Sequence, residues 1–147
     1  MKKIIFLLIN CTLIYSCNNS GKTDPVRAQA DSLQKQVIDE HDVAMPKAMK
    51  IPKLKKEIQQ QIDSINKLPT AEQEAAASYK DKLEILSNDL TLAHEEMQQW
   101  MNAFNLDSFS NDPAKRVQYL TDEKKKVTRV KEEVLQSLQK ADSVIKH

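Results

Sequence analysis

The sequence predicts an all-α fold, an elongated antiparallel three-helix bundle whose first helix is kinked near Pro46 and Pro52. Three observations carry that prediction. Apolar residues recur in steps of three and four over most of the chain, which is the period of a helix with one buried stripe. The sole glycine among 147 residues is Gly21, so the long periodic stretches contain none. With 40% apolar but only 5% aromatic residues, the composition suits a narrow helical core better than a thick globular one.

The first seam runs Val26, Ala30, Leu33, Val37, Ala44, Ala48, Ile51, Ile58, Ile62, Ile65, with His41 in the gap after Val37. Asp24-Pro25 reads as an N-cap followed by proline at the first helical position. Pro46 and Pro52 lie inside this seam, where each removes an N–H and crowds the preceding turn. A kink or short break at residues 45–52 is therefore expected, and a full boundary there gives four helices. Leu68-Pro69-Thr70 ends the segment, and Thr70 with Gln73 has the spacing of a capping box.

The second seam alternates four and three throughout: Tyr79, Leu83, Leu86, Leu90, Ala93, Met97, Trp100, Phe104. That heptad-like stripe suits coiled-coil packing. Residues 105–113 read as a loop that opens the third helix. There Leu120, Val127, Val130, Val134, Leu138, Ala141 and Ile145 form the stripe, while Lys124, Lys125, Lys126, Glu132 and Glu133 read as a solvated face. Helices of about 40, 35 and 33 residues would be roughly 50–60 Å long. Short connections make consecutive helices antiparallel.

The N-terminus carries an address. Lys2-Lys3 precedes an apolar run from Ile4 to Ile9, and the segment closes on Leu13-Ile14-Tyr15-Ser16-Cys17. A basic start, a short apolar stretch and a small residue before cysteine resemble a bacterial lipobox. The run is too short to span a membrane, which takes about 20 apolar residues. On this reading residues 1–16 are a signal peptide, Cys17 is the lipidated first residue of the mature chain, residues 17–24 are a tether, and residues 25–147 form the bundle. Cys11 departs with the signal. Two or more acyl chains give stable anchoring. No acidic cluster follows Cys17, which points to an outer-membrane location facing the periplasm.

Composition also excludes functions. One glycine leaves no material for a P-loop, a Rossmann fingerprint or a nucleophile elbow. The full chain has 22 basic and 21 acidic residues, and loss of Lys2 and Lys3 with the signal turns a net charge of +1 into −1. Nucleic acid is therefore not an expected partner, because phosphate binding needs a concentrated basic surface. No nucleophile and base stand at credible spacing, so no enzyme is expected.

Histidine and methionine are the chemically distinctive residues of the body. His41, Met45 and Met49 recur at i, i+4, i+8, and His94, Met97 and Met101 at i, i+3, i+7, so each set lies along one side of its helix. Counting equal rise from a turn at Leu68-Pro69 sets His41 opposite position 96. His41, Met45, His94 and Met97 then share a level, with Trp100 and Phe104 closing one end and Tyr119 within reach. Thioether and imidazole suit copper, particularly Cu(I). The alternative is adaptable core packing around a proline kink. A haem held by His and Met fits less well, with no C-x-x-C-H motif present. Nor do Glu40, Asp42, Glu95 and Glu96 follow the Glu-x-x-His pattern of a diiron bundle.

Three stretches together resemble the short Bacteroidota lipoproteins labelled "viral A-type inclusion protein". They are His41-Asp42-Val43-Ala44-Met45-Pro46-Lys47 with Ile51 and Leu54-Lys55-Lys56; Met97, Trp100, Met101 and Phe104; and Tyr119-Leu120 through Glu123 and Val127 to Leu138, Lys140 and Ala141. Relatives commonly have Met-Pro-Lys-Met-Gly in the first motif, where this chain has Ala48-Met49 after Met45-Pro46-Lys47. The resemblance implies lipid anchoring and a helical, coiled-coil-like body, and it brings no activity with it. The expected role is a non-catalytic envelope protein, a scaffold or interaction module with an envelope-protein partner. The other expectation is a copper-binding lipoprotein using His41, Met45, Met49, His94, Met97 and Met101.

Overall fold

A computed structural model describes residues 24–145, and the signal, Cys17 and most of the tether lie outside the described residues. Helix α1 spans Pro25–Ala48, α2 Ile51–Asn66, α3 Thr70–Ala103 and α4 Pro113–Ile145. The first two form one bent limb, so the fold is an all-α bundle of three rods running up, down and up.

Asp24 caps α1 by accepting from the Val26 N–H at 3.0 Å, with Pro25 at the first helical position, as the sequence predicts. The limb bends at Met49 and Lys50. Their φ/ψ angles stay in the right-handed helical region, and Lys50 N–H bonds back only three residues, to the Lys47 carbonyl at 3.0 Å. Pro46 lies inside α1 and Pro52 in the first turn of α2, so two ladder N–H groups are missing within seven residues. The limb consequently changes direction without a loop.

The capping box at Thr70 is not formed. Pro69, with φ −57° and ψ 152°, occupies the N-cap, so Thr70 is already helical. Gln73 instead donates from Nε2 to the Asn66 and Leu68 carbonyls at 3.1 and 2.7 Å. Its amide thereby satisfies carbonyls that the end of α2 leaves open. At the other end of α3, Asp112 accepts from Lys115 N–H at 3.1 Å and opens α4, whose first residue is Pro113.

Cross-helix polar pairs fix the topology. Gln34 with Arg116, Gln36 with Lys124 and Glu40 with Lys131 climb together, which makes α1 and α4 parallel neighbours. Trp100 with Glu123, Glu96 with Arg129 and Asp89 with Lys140 run oppositely, which makes α3 and α4 antiparallel. The core is one continuous file: Val37, Ala44 and Ala48 of α1, Ile51, Ile58 and Ile62 of α2, Leu83, Leu90 and Met97 of α3, Leu120, Val127 and Val134 of α4. Small residues in α1 let it lie close to α4, whereas α2 meets α3 through isoleucine and leucine. No described helix is long and apolar enough to cross a membrane.

Candidate functional site

The chemically varied end of the bundle lies where α1, the close of α3 and the start of α4 meet. Trp100 is buried, and its indole N–H donates to Glu123 Oε2 at 3.0 Å. Glu123 is itself buried, with Lys126 Nζ donating to Oε1 at 2.7 Å. The same contact holds the Lys126 ammonium above the usual lysine range. Phe104 stacks on Trp100 with ring centroids 5.0 Å apart, and Tyr119 stacks on Phe104 at 6.2 Å. Such offset pairs add directional attraction to plain burial.

Tyr119 Oη also accepts from the Asn105 N–H at 2.8 Å, which ties α4 to the chain leaving α3. Phe109 sets its ring edge against Tyr119 at 5.9 Å and adopts φ 56°, an uncommon left-handed conformation for an aromatic residue. The loop thus closes an aromatic row of Trp100, Phe104, Tyr119 and Phe109. Reach of Tyr119 to this end was legible in the sequence.

His41 enters the row from α1. Its Nδ1 lies 3.0 Å from Asp42 Oδ1, its Nε2 lies 3.3 Å from Met101 Sδ, and its ring centre is 5.8 Å from that of Trp100. His41 therefore faces positions 100 and 101, one turn beyond the position 96 given by equal-rise counting. Tyr79 Oη donating to Gln61 Oε1 at 2.6 Å shows the same direction of shift nearer the hairpin. Side-chain tilt accounts for about two of these four or five residues. Every Cα–Cβ bond leans toward its helix N-terminus, so facing side chains on antiparallel helices meet about one residue later on each than their Cα levels indicate.

That register rearranges the six sulfur and imidazole candidates. His41 is with Met101. Met45, partly buried against the core, takes the level of Met97, which is wholly buried. His94 precedes Met101 by seven residues, about 10 Å along the axis, so it leaves the level of His41. Met49 is 67% exposed beside the bend. Among the described residues, no group of three His, Cys, Asp or Glu side chains is placed to hold a metal ion.

Sequence reasoning missed Glu123. The signal was a seven-residue gap between Leu120 and Val127 in the third stripe, with Glu123 standing at the vacant seam position. Of the run read as a solvated face, Lys125 and Lys126 are exposed and Lys124 is half-buried, and their ammonium groups also find partners on or across the bundle. Lys124 Nζ donates to Gln36 Oε1 at 2.6 Å and Lys126 reaches Glu123, because lysine stems can lie along a helix while the ammonium finds a partner.

A second polar cluster lies midway along α3 and α4. Arg129 bridges Glu96 and Glu133 at 2.7 and 2.6 Å. A hydrogen bond from the Glu133 carboxyl holds Glu96 below the usual carboxylate range, whereas burial, followed by that same contact with Glu96, pushes Glu133 above it. Beside them Ile85 and Leu92 are 63% and 59% exposed on α3.

Compared with known proteins, the chain matches no family model, no curated protein and no solved structure.

Proposed function

We propose that this protein is a non-catalytic, lipid-anchored helical bundle of the bacterial cell envelope, tethered through Cys17 at the outer membrane and facing the periplasm, where it serves as an interaction or scaffold module. The observation that carries the interaction role is the outward pair Ile85 and Leu92. They stand seven residues apart on one side of α3, and their exposure costs contact with water that a partner surface relieves. Asp89, between them, pairs with Lys140, and Glu96, just beyond, pairs with Arg129, which gives the apolar pair a charged rim. A bundle with its core filled by aliphatic side chains is suited to holding such a surface rigidly.

The lipobox-like order of basic, apolar and Ser16-Cys17 residues supports the anchor, and the resemblance to short Bacteroidota lipoproteins supports it further. Labelling with a palmitate analogue, combined with membrane fractionation, tests the reading. The wild-type chain is expected to carry label and sediment with membranes, and Cys17→Ala to lose both. Label retained in Cys17→Ala contradicts the anchor. Ile85→Glu with Leu92→Glu should leave anchoring intact but abolish site-specific photocrosslinks from position 88; unchanged crosslinks contradict the interaction surface.

A further inference from the structure

We infer that His41 and Met101 form the nucleus of a soft-metal site, completed by the thioethers of Met45 and Met97, that takes a monovalent copper ion. The first observation is the orientation of the imidazole. Asp42 Oδ1 stands 3.0 Å from Nδ1. An ionised carboxylate only accepts, so in the neutral ring Nδ1 carries the proton and the lone pair is on Nε2. A carboxylate holding the far nitrogen of a histidine is the usual outer support of a metal ligand.

The second observation is what that lone pair faces. Nε2 lies 3.3 Å from Met101 Sδ, across two different rods of the bundle. Thioether sulfur is only a weak acceptor and has no proton to give. Two electron-pair donors thus converge from opposite sides, an arrangement favourable to a soft Lewis acid. Bonds of about 2.0 Å to nitrogen and 2.3 Å to sulfur, as in other first-row sites, subtend an angle of roughly 100° across that separation. Such an angle fits three- or four-coordinate geometry.

Register supplies the remaining donors. Met45 follows His41 by one turn of α1, and Met97 precedes Met101 by one turn of α3, so the four residues occupy two adjacent levels of the bundle, with Met45 and Met101 packed against the core that includes Met97. Met45 is partly buried and Met97 wholly so, which keeps water from competing for the ion. Three thioethers and one imidazole select Cu(I) over Mg and Ca, whose oxygen donors are absent from the set, and over Zn, which shares the imidazole but takes its sulfur from thiolate rather than thioether. Trp100, with its ring 5.8 Å from that of His41, walls the site and reports on it. His94 and Met49 are excluded by level and by exposure. The site does not depend on the anchor or on the Ile85–Leu92 surface.

The test uses the full chain with Cys11→Ser and Cys17→Ser, which removes the competing thiols, titrated anaerobically with Cu(I) against a chromophoric chelator. One ion per chain is expected, with a change in Trp100 fluorescence. Met101→Leu and His41→Phe should each weaken binding about tenfold or more, while Met49→Leu and His94→Gln leave it unchanged. In parallel, methyl-labelled methionine spectra of the unmutated body should show Met101, Met45 and Met97 moving on addition of Cu(I), with Met49 still. The methyl spectra decide the matter should a variant fail to fold. Absence of stoichiometric binding, equal loss in Met49→Leu or His94→Gln, or movement of the Met49 methyl alone overturns the proposal.

Discussion

The two ends of the bundle are built from different materials. In the α2–α3 arm, Ile58, Ile62 and Ile65 pack against Leu83 and Ala76, and the polar contacts across the arm are surface ones such as Tyr79 to Gln61. At the other end, an indole bonds a buried carboxylate, three aromatic rings stack in sequence, and an imidazole from α1 meets a sulfur from α3. An aliphatic seam specifies pairing but offers no directional group. The aromatic end spends part of its packing on polar atoms that must each find a partner. Chemistry is therefore concentrated where the heptad stripe ends in Trp100 and Phe104, opposite the part of α1 that carries His41.

This contrast can be broken by substitution. Trp100→Ala removes the residue that joins the ring stack, the Glu123 bond and the wall of His41, and should cost about 3–5 kcal/mol in urea denaturation, as for other large buried aromatics. A loss below about 1 kcal/mol would mean that the aromatic end is not a structural centre. Trp100→Phe keeps a ring but takes the donor from buried Glu123, with an expected cost of about 1–3 kcal/mol. Tyr79→Phe, its counterpart in the aliphatic arm, loses an exposed hydrogen bond and should cost about 0.5 kcal/mol or less. Equal costs for the two phenylalanine variants would erase the distinction between the ends.

The smallest expected effect sharpens the middle of the molecule. Glu133 has its carboxyl raised above the usual 4.5, so the folded chain holds that proton more tightly than the unfolded one. Its contribution therefore falls as pH rises through that raised value. Glu96 is lowered, and its contribution is present above the ordinary glutamate range and lost as pH falls through its depressed value. Glu133→Gln keeps a hydrogen-bonding group beside Glu96 without the second charge. Relative to wild type, its melting temperature should be higher near pH 7 than near pH 4, by about a degree given the solvent exposure of the pair. A difference that is constant with pH, or reversed, would contradict the opposite shifts of the two carboxyls.

Much of the architecture was legible because it depends on local rules. The seams gave the rods, Pro46 and Pro52 gave the bend, Asp24-Pro25 gave the first cap, and Trp100, Phe104 and Tyr119 gave the closed end. What escaped depends on three-dimensional offsets of a single turn. Thr70 sits one place too late to cap because Pro69 already supplies the extended backbone. Glu123 looks like one charge in a charged run until α4 turns it onto Trp100. The histidine and methionine spacings along each helix were visible, yet the level at which the helices meet was not, since counting Cα rise ignores the tilt of side chains toward the N-terminus. That tilt supplies about half of the turn by which His41 passes the level of Met97 to meet Met101.

The register at His41 is accordingly the centre of the account, and proton–proton contacts from the methionine methyl groups measure it directly. The Met101 methyl is expected to show cross-relaxation with the His41 ring and with Trp100, while the His94 ring shows none with His41. Cross-relaxation of His41 with Met97 and His94, and none with Met101, would contradict the register and the site built on it.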